Sequence, residues 1–230
     1  MRPEKAASDI AAPAVKPDGR KDNALATQTA LRAAGRALFG QLGYKATSVG
    51  ALCDAAGVTS GALYHHFGDK KTLFAAVVEE LDAELVERTH AVMLQTLAKS
   101  GDPWAAFISA IDSFVDLSAN PHMRQIGLQD APSVLGADGW ASIRDRHGLG
   151  AMTRAVYALQ TAKLMLPGDA SSIARMILGL LYGAADALPA LEATHNATTP
   201  AALAALKGPI RAMLGGLRPR APTTQKTRNA

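Results

Sequence analysis

Residues 47–71 read TSVGALCDAAGVTSGALYHHFGDKK, and this stretch decides the fold of the chain. It contains two short helical patterns separated by Ala56-Gly57-Val58, and the second pattern ends in a cluster of aromatic and basic residues. A glycine between two short helices is typical of a helix-turn-helix, whose second helix enters the major groove of DNA. The stretch therefore predicts a DNA-binding module.

The residues before and within this stretch predict three short helices. Apolar residues recur at helical spacing from Asn23 to Leu42, and Gly43 is expected to end that first helix. Thr47 is expected to cap the second helix, and Thr59 or Ser60 the third. A core built from three short helices would be marginal alone, so we expect it to pack against the next element.

A long fourth helix is predicted from Lys70 to about Gly101, with an apolar stripe and a charged face. The charged face is expected to hold Glu79, Glu80, Asp82, Glu84, Glu87 and Arg88. Further helices are predicted at about 103–117, 122–129, 140–166, 169–194 and 200–214. No segment has the alternation of a strand, so the predicted fold class is all-α.

The sequence divides into four parts: a disordered arm (1–21), a helix-turn-helix domain (22–69), a larger helical domain (70–216) and a disordered basic tail (217–230). Residues 20–75 carry seven basic and three acidic residues, whereas residues 76–217 carry ten basic and fourteen acidic ones. A basic N-terminal module suits a polyanionic partner, although ordinary surface charge explains the same count equally well.

The composition argues against a membrane protein, a secreted protein, a disulfide-bonded protein and a metal-binding protein. No apolar run is long enough to span a membrane, and the N-terminus lacks the apolar segment of a secretory signal. A single cysteine, Cys53, allows no internal disulfide, and the six histidines lack the spacing of a metal site. We expect a cytoplasmic protein with no membrane partner, metal or cofactor.

The chain resembles the TetR family of transcriptional regulators over about residues 25–80. The resemblance lies in Gly43-Tyr44, Thr47-Ser48-Val49, Ala56-Gly57-Val58 and the run Gly61-Ala-Leu-Tyr-His-His-Phe67, followed by Asp69-Lys70. It implies a homodimer in which two N-terminal domains grip successive major grooves. It also implies that a long fourth helix joins each of them to a larger helical domain for dimerisation and ligand binding.

The resemblance assigns DNA-binding residues position by position. Thr47 and its neighbour Ser48, at the start of the second helix, would meet a phosphate. Thr59, Ser60, Gly61 and Ala62 open the helix that reads bases. The remaining three positions would contact the DNA backbone: Tyr64, His65 and Lys70.

The chain departs from the family in its charges. Gly50 and Ala51 stand where many members carry arginine and an acid, and Ser60 stands where lysine is frequent. Each lost ion contact lowers the log–log salt dependence of binding by roughly one. We therefore expect DNA binding that depends less on charge.

The C-terminal part predicts a ligand pocket and a dimer interface. Aromatic, sulfur-containing and charged residues are candidates to line the pocket, although each could equally belong to the core or the surface. These residues are Trp104, Phe107, Met123, Asp130, Trp140, Arg144, His147, Tyr182 and Asp186. The helices at about 170–194 and 200–214 are rich in alanine, glycine and leucine, and we expect them to form the homodimer interface.

The predicted function is sequence-specific DNA binding that regulates transcription, as a repressor released from double-stranded operator DNA by a small-molecule effector. One alternative is an interaction module that keeps the fold without specific DNA binding. A helical enzyme is a further alternative. The sequence contains no phosphate-binding glycine loop, nucleophile elbow or paired carboxylates at catalytic spacing, so no catalytic residue is assigned.

Overall fold

The computed structural model describes residues 19–195 and 199–219, and within these ranges the backbone is helical with no β-strand. The predicted all-α class is confirmed. The predicted arm at 1–21 lies outside the described residues up to residue 18, and the predicted tail lies outside them from residue 220. The helices are α1 (Gly19–Leu42), α2 (Val49–Ala56), α3 (Ser60–Phe67), α4 (Lys70–Ser100), α5 (Pro103–Ser118), α6 (Pro121–Met123), α7 (Ala131–Arg144), α8 (Gly150–Thr161), α9 (Ala170–His195) and α10 (Thr199–Gly215).

Side-chain caps fix the two short helices of the helix-turn-helix. Ser48 caps α2, where its hydroxyl accepts a hydrogen bond from the Ala51 amide at 3.1 Å. Thr59 caps α3 in the same way, accepting from the Ala62 amide at 3.3 Å. The prediction that Thr47 caps α2 is wrong by one residue. Gly57 supplies the left-handed turn between the helices at φ 66°.

The N-terminal domain shares its core with the rest of the molecule. Phe39, Leu52 and Leu63 are completely buried, and they belong to one cluster with residues of α4 and α7. Trp140 of α7 and Ile126 are members of that cluster. The expectation that the small core packs against later elements is confirmed, and the contact extends well beyond α4.

Helix α4 carries one charged residue on its apolar face. Asp82 is only 5% exposed, so its predicted position on the charged face is wrong. It follows Val78 by four residues and precedes Leu85 by three, which puts all three on one side of the helix. The N-terminus of α4 is capped by Asp69, whose carboxylate accepts from the Thr72 amide at 2.7 Å.

The predicted boundaries between residues 120 and 166 are wrong, because the prolines there start helices instead of interrupting them. Asn120 caps the turn that Pro121 opens, and the chain continues through a π-helical segment, Arg124–Asp130, directly into α7. The single predicted helix at 140–166 is divided by a second π-helical segment, Asp145–Leu149, and ends at Thr161. We call Arg124–Asp130 the π-segment.

Helices α9 and α10 combine buried and exposed apolar residues. Ile177, Leu181 and Ile210 are buried in the monomer, together with residues of α5 and α8. Met176 and Met213 instead stay 64% and 53% exposed. Within the described residues, α9 is long and apolar enough to cross a membrane (mean hydropathy 1.3), and 28% of this stretch is buried, where the helix packs against α5, α8 and α10.

Candidate nucleic-acid interface and the cavity behind it

The outer side of α3 presents polar and aromatic side chains to solvent. Thr59, Ser60 and His65 are exposed, and Tyr64 is 53% exposed although it is a large aromatic residue. Ala62 is half-buried, while Leu63 and Phe67 point into the core. The predicted reading helix therefore has one face fixed by packing and one free to meet a partner.

Gly61 lies on this free face. A Cβ built at this position would meet nothing closer than the Thr59 hydroxyl oxygen, at 3.7 Å. No crowding within the described chain requires glycine there. The absence of a side chain instead leaves room for another molecule to approach the backbone closely.

Thr47 is buried and does not have the position predicted for a phosphate contact. It is 1% exposed, and its hydroxyl donates to the Gly43 carbonyl at 2.8 Å. This bond ties the end of α1 to the start of α2. The exposed hydroxyl at the N-terminus of α2 belongs to Ser48, which was also predicted as a contact.

Lys70 holds the loop between α1 and α2. Its ammonium group donates to the Tyr44 carbonyl at 2.9 Å and to the Thr47 carbonyl at 2.8 Å. The same group lies 4.1 Å from the centre of the Tyr44 ring, within the range of a cation–π contact. The charge predicted to reach the DNA backbone is thus engaged inside the domain.

Two adjoining cavities lie in the helical body. Their volumes are about 50 and 90 Å³, and both cavities open partly to solvent. Four side chains line both cavities: Asp82, Leu85, Phe114 and Tyr182. The π-segment and Trp140 help to close the first cavity, and residues of α4, α5, α8 and α9 close the second.

Asp82 is the carboxylate where the two cavities meet. Its Oδ1 accepts a hydrogen bond of 3.3 Å from the Tyr182 hydroxyl, and its Oδ2 is buried with no hydrogen-bond partner. Burial raises the pKa of the Asp82 carboxyl to about 6, against the lowering effects of Tyr182, His147 and Arg144. Burial also raises the pKa of the Tyr182 hydroxyl.

The candidate pocket residues separate into two groups. Phe107, Met123, Trp140 and Tyr182 line a cavity as predicted, and the Arg144 guanidinium stacks on Tyr182 at 4.7 Å and on Trp140 at 5.1 Å. Arg144 itself lines neither cavity, and neither do four further predicted residues: Trp104, Asp130, His147 and Asp186.

Each of those four has a different environment. Trp104 is buried and contacts the Arg218 guanidinium, and Asp186 is exposed on α9. His147 lies 3.3 Å from the Glu79 carboxylate, which also accepts two hydrogen bonds from Arg146. Although burial opposes it, these bonds lower the pKa of Glu79.

Asp130 connects the body to the helix-turn-helix. Asp130 is the last residue of the π-segment. Its Oδ2 atom accepts a hydrogen bond of 2.8 Å from the Tyr44 amide and one of 3.1 Å from the Gln125 side chain. The nearby backbones are also close, because a Cβ at Gly40 would lie 2.7 Å from the Cβ of His122.

Sequence reasoning missed Asp82. Its spacing of four from Val78 and three from Leu85 was the available signal, but a charged residue in a run of acids was assigned to the solvent face. Spacing alone could have placed it inward, whereas its unpaired Oδ2 could not have been inferred without the positions of α7 and α9.

The fold and the exposed face of α3 define a DNA-binding protein of the helix-turn-helix class. Residues 31–77 match the family described as bacterial regulatory proteins, tetR family, and residues 104–217 match the tetracyclin repressor-like C-terminal domain. The chain belongs to the TetR family of bacterial transcriptional regulators. The family assignment points to a regulator rather than an enzyme.

Individual relatives agree with this assignment. A TetR-family transcriptional regulator from Pectobacterium atrosepticum is 32% identical in sequence, with 87% of this chain and 98% of that chain covered and a TM-score of 0.71. The transposon Tn10 TetC protein of Escherichia coli is 28% identical over 117 residues, which are 51% of this chain and 57% of TetC. The transcriptional repressor AcnR of Corynebacterium glutamicum is 42% identical over 52 residues, 23% of this chain and 28% of AcnR. The match thus spans little more than half of TetC and under a third of AcnR.

We predict that Lys70→Ala destabilises the fold by roughly 2 kcal/mol, because two carbonyls lose a charged donor and Tyr44 loses its cation contact. Urea unfolding monitored by circular dichroism measures the change. The neighbouring and exposed Lys71→Ala is the matched control, with an expected effect within about 0.5 kcal/mol. Equal effects of the two substitutions would contradict the role given to Lys70.

We predict that Asp82→Asn stabilises the protein at pH 8 by on the order of 2 kcal/mol but has little effect at pH 4. The folded state raises the pKa of Asp82 from 3.8 to about 6, so it binds the proton more tightly than the unfolded state. Its favourable contribution is complete below about pH 4 and is lost as the pH rises through 6. Urea titrations at both pH values test this, and a gain of equal size at both would refute it.

Proposed function

We propose that this chain represses transcription as a cytoplasmic homodimer bound to operator DNA, and that a small molecule in the cavities around Asp82 releases it. The observation that supports this proposal most directly is the position of the π-segment between the first cavity and the helix-turn-helix. One end of it lines the first cavity, and the other end, at Asp130, holds the Tyr44 amide of the helix-turn-helix. A ligand that alters the cavity wall thereby acts on the DNA-binding domain.

In this proposal α3 enters the major groove. Thr59 and Ser60, at its exposed N-terminal end, meet base edges, while Gly61 permits close approach of the backbone. Tyr64 and His65 contact phosphate or sugar, and Ser48 offers a further hydroxyl at the start of α2. Because Lys70 is engaged inside the domain, it adds no phosphate contact, so a shallower salt dependence is expected.

The second copy docks on α9 and α10. TetR-family regulators act as dimers, and a dimer presents two reading helices to successive grooves. On α9 the exposed side includes Met176, Gly179 and Gly183, and α10 adds the exposed Met213. Two glycines four residues apart let a partner helix approach closely, and the methionines supply apolar area to bury.

Release requires only that the effector bind one arrangement of the domains better than the other. The candidate path runs from the first cavity through Ile126 and Gly127 to Asp130, and from there to Tyr44. Tyr44 is also where Lys70 anchors the loop. A change in the π-segment therefore reaches the spacing of the two DNA-binding domains.

The DNA-binding roles predict different effects for different substitutions. Tyr64→Ala should weaken binding to the DNA upstream of the gene and to competitor DNA alike, by about fivefold to tenfold, because it removes a backbone contact. Ser60→Ala should change the preference among operator variants instead. Fluorescence anisotropy with labelled duplexes at low and moderate salt measures both effects.

The control for Tyr64 is Tyr157→Ala, since Tyr157 is also an exposed tyrosine (67%) but lies on α8, distant from α3 in the fold. It should leave DNA affinity unchanged. Absence of any sequence-specific binding by the wild-type chain at low salt would instead favour the interaction module without DNA recognition.

The coupling path predicts non-additive substitutions. Ala185 is buried in the wall of the first cavity, so Ala185→Leu fills space as a bound molecule would and should weaken operator binding by about tenfold. In an Asp130→Ala background, which removes the acceptor for Tyr44, the same change should cost less than about threefold. A tenfold loss in both backgrounds would exclude this path.

A further inference from the structure

Asp82 lies in the wall of both cavities, and the Arg144 guanidinium, which lines neither, stacks on the wall residues Trp140 and Tyr182. Asp82 Oδ2 and Arg144 Nε are both buried without a hydrogen-bond partner. The guanidinium lies close enough to lower the pKa of the carboxyl, but the unpaired Oδ2 and Nε atoms are not bonded to each other. An unpaired buried carboxylate oxygen is costly, and a bound molecule that donates to it gains the difference.

Tyr182 occupies the space between these groups. Its ring carries the Arg144 guanidinium on one face at 4.7 Å, and its hydroxyl donates to Asp82 Oδ1. The ring itself lines both cavities. A ligand placed against Tyr182 is therefore next to the free carboxylate oxygen.

The remaining wall of the cavities is largely apolar. Leu85, Phe114, Trp140 and Leu181 are buried there. The Ser118 hydroxyl, which also lies in the wall, already donates to the Val115 carbonyl at 2.8 Å. The aromatic edges and faces suit a flat apolar skeleton. Of the other polar lining residues, Arg124 is paired with Glu192 and the Thr89 hydroxyl is bonded to its own helix, whereas Asp82 Oδ2 has no partner.

Charge limits the head group that such a skeleton can carry. A carboxylate beside Asp82 would be repelled by the Asp82 carboxylate, and an ammonium would add positive charge to a site that Arg144 and His147 already influence. A neutral hydroxyl avoids both repulsions, because it carries no charge and its O–H can donate to Asp82.

We propose that the effector is a neutral aromatic molecule bearing a hydroxyl group that donates to Asp82 Oδ2. This assignment rests on the proposed function only in taking the occupant of the cavities as the effector. It names the chemistry of the occupant, which the family assignment leaves open.

Four probes with one ring system and different head groups test the assignment by isothermal titration calorimetry on the full chain. They are 2-naphthol, 2-methoxynaphthalene, 2-naphthoate and protonated 2-naphthylmethylamine. We expect 2-naphthol to bind, the methoxy compound to bind about ten- to a hundredfold more weakly because it cannot donate, and the two charged probes to bind more weakly still. Binding of either charged probe as tight as that of 2-naphthol, or no binding of any probe, would overturn the proposal.

Substitution at the carboxylate provides the second test. Asp82→Asn should weaken 2-naphthol binding by about tenfold, since it replaces a charged acceptor with a neutral amide. The same change at the exposed Asp138 is the matched control and should leave the affinity unaltered. Because Asp82→Asn is expected to stabilise the fold above pH 6, unfolding cannot imitate this loss. An unchanged affinity in Asp82→Asn would overturn the proposal.

Operator binding is measured separately by anisotropy, so the two proposals fail in different ways. A wild-type chain that binds operator DNA but none of the probes refutes the ligand chemistry and leaves the regulator intact. A chain that binds 2-naphthol through Asp82 without specific DNA binding supports the site and refutes the regulator.

Discussion

The helix-turn-helix of this protein has no complete core of its own, and the rest of the architecture follows from that constraint. Phe39, Leu52 and Leu63 are fully buried only because α4, the π-segment and α7 close over them. Helix α1 and the two short helices α2 and α3 could not exclude water from so many apolar side chains alone. The DNA-binding part is consequently joined to the body by a continuous apolar contact as well as by α4.

Hydrogen bonds between the helix-turn-helix and the body fix their relative orientation, whereas the apolar contact only holds the two together. Lys70 and Asp130 bind the loop around Tyr44 from two sides, the first through carbonyl oxygens and the second through an amide. A hydrogen bond tolerates little displacement, whereas packed side chains can slide. In the proposed mechanism, the loop between α1 and α2 is therefore the point through which a change in the body would reach α3.

Local signals in the sequence predicted the elements up to α5 closely, because glycine ends and side-chain caps act within a few residues. The start of α2 was missed by one position since Thr47 and Ser48 are chemically equivalent caps, and only burial of Thr47 decides between them. The positions of charged side chains were harder to predict than the helix ends. Lys70 and Asp82 look like surface residues in sequence, and the elements that enclose them come from distant parts of the chain.

The helix boundaries around Pro121 and Pro132 were also difficult to predict from sequence alone. Pro121 and Pro132 are as compatible with a loop as with a helix start, and Asn120 decides in favour of the helix by capping it. Five predicted pocket residues do not line a cavity for a related reason: composition identifies aromatic and charged residues suited to a pocket but does not identify which helices face each other. Trp104 and Asp186 lie on the right helices, and other residues of those helices line the cavities.

The π-segment has a further consequence. Its closing hydrogen bond runs from the Ala131 amide to the Ile126 carbonyl, so this turn holds one residue more than an α-helical turn. The extra residue cannot be removed from the turn gradually. Either the turn keeps its π-helical geometry, or the extra residue shifts into the neighbouring turn. If the turn reverted to α-helical geometry, Asp130 would rotate by the angle of about one residue and leave the Tyr44 amide. The contact between Asp130 and Tyr44 would then be either made or lost, with no intermediate arrangement of the turn.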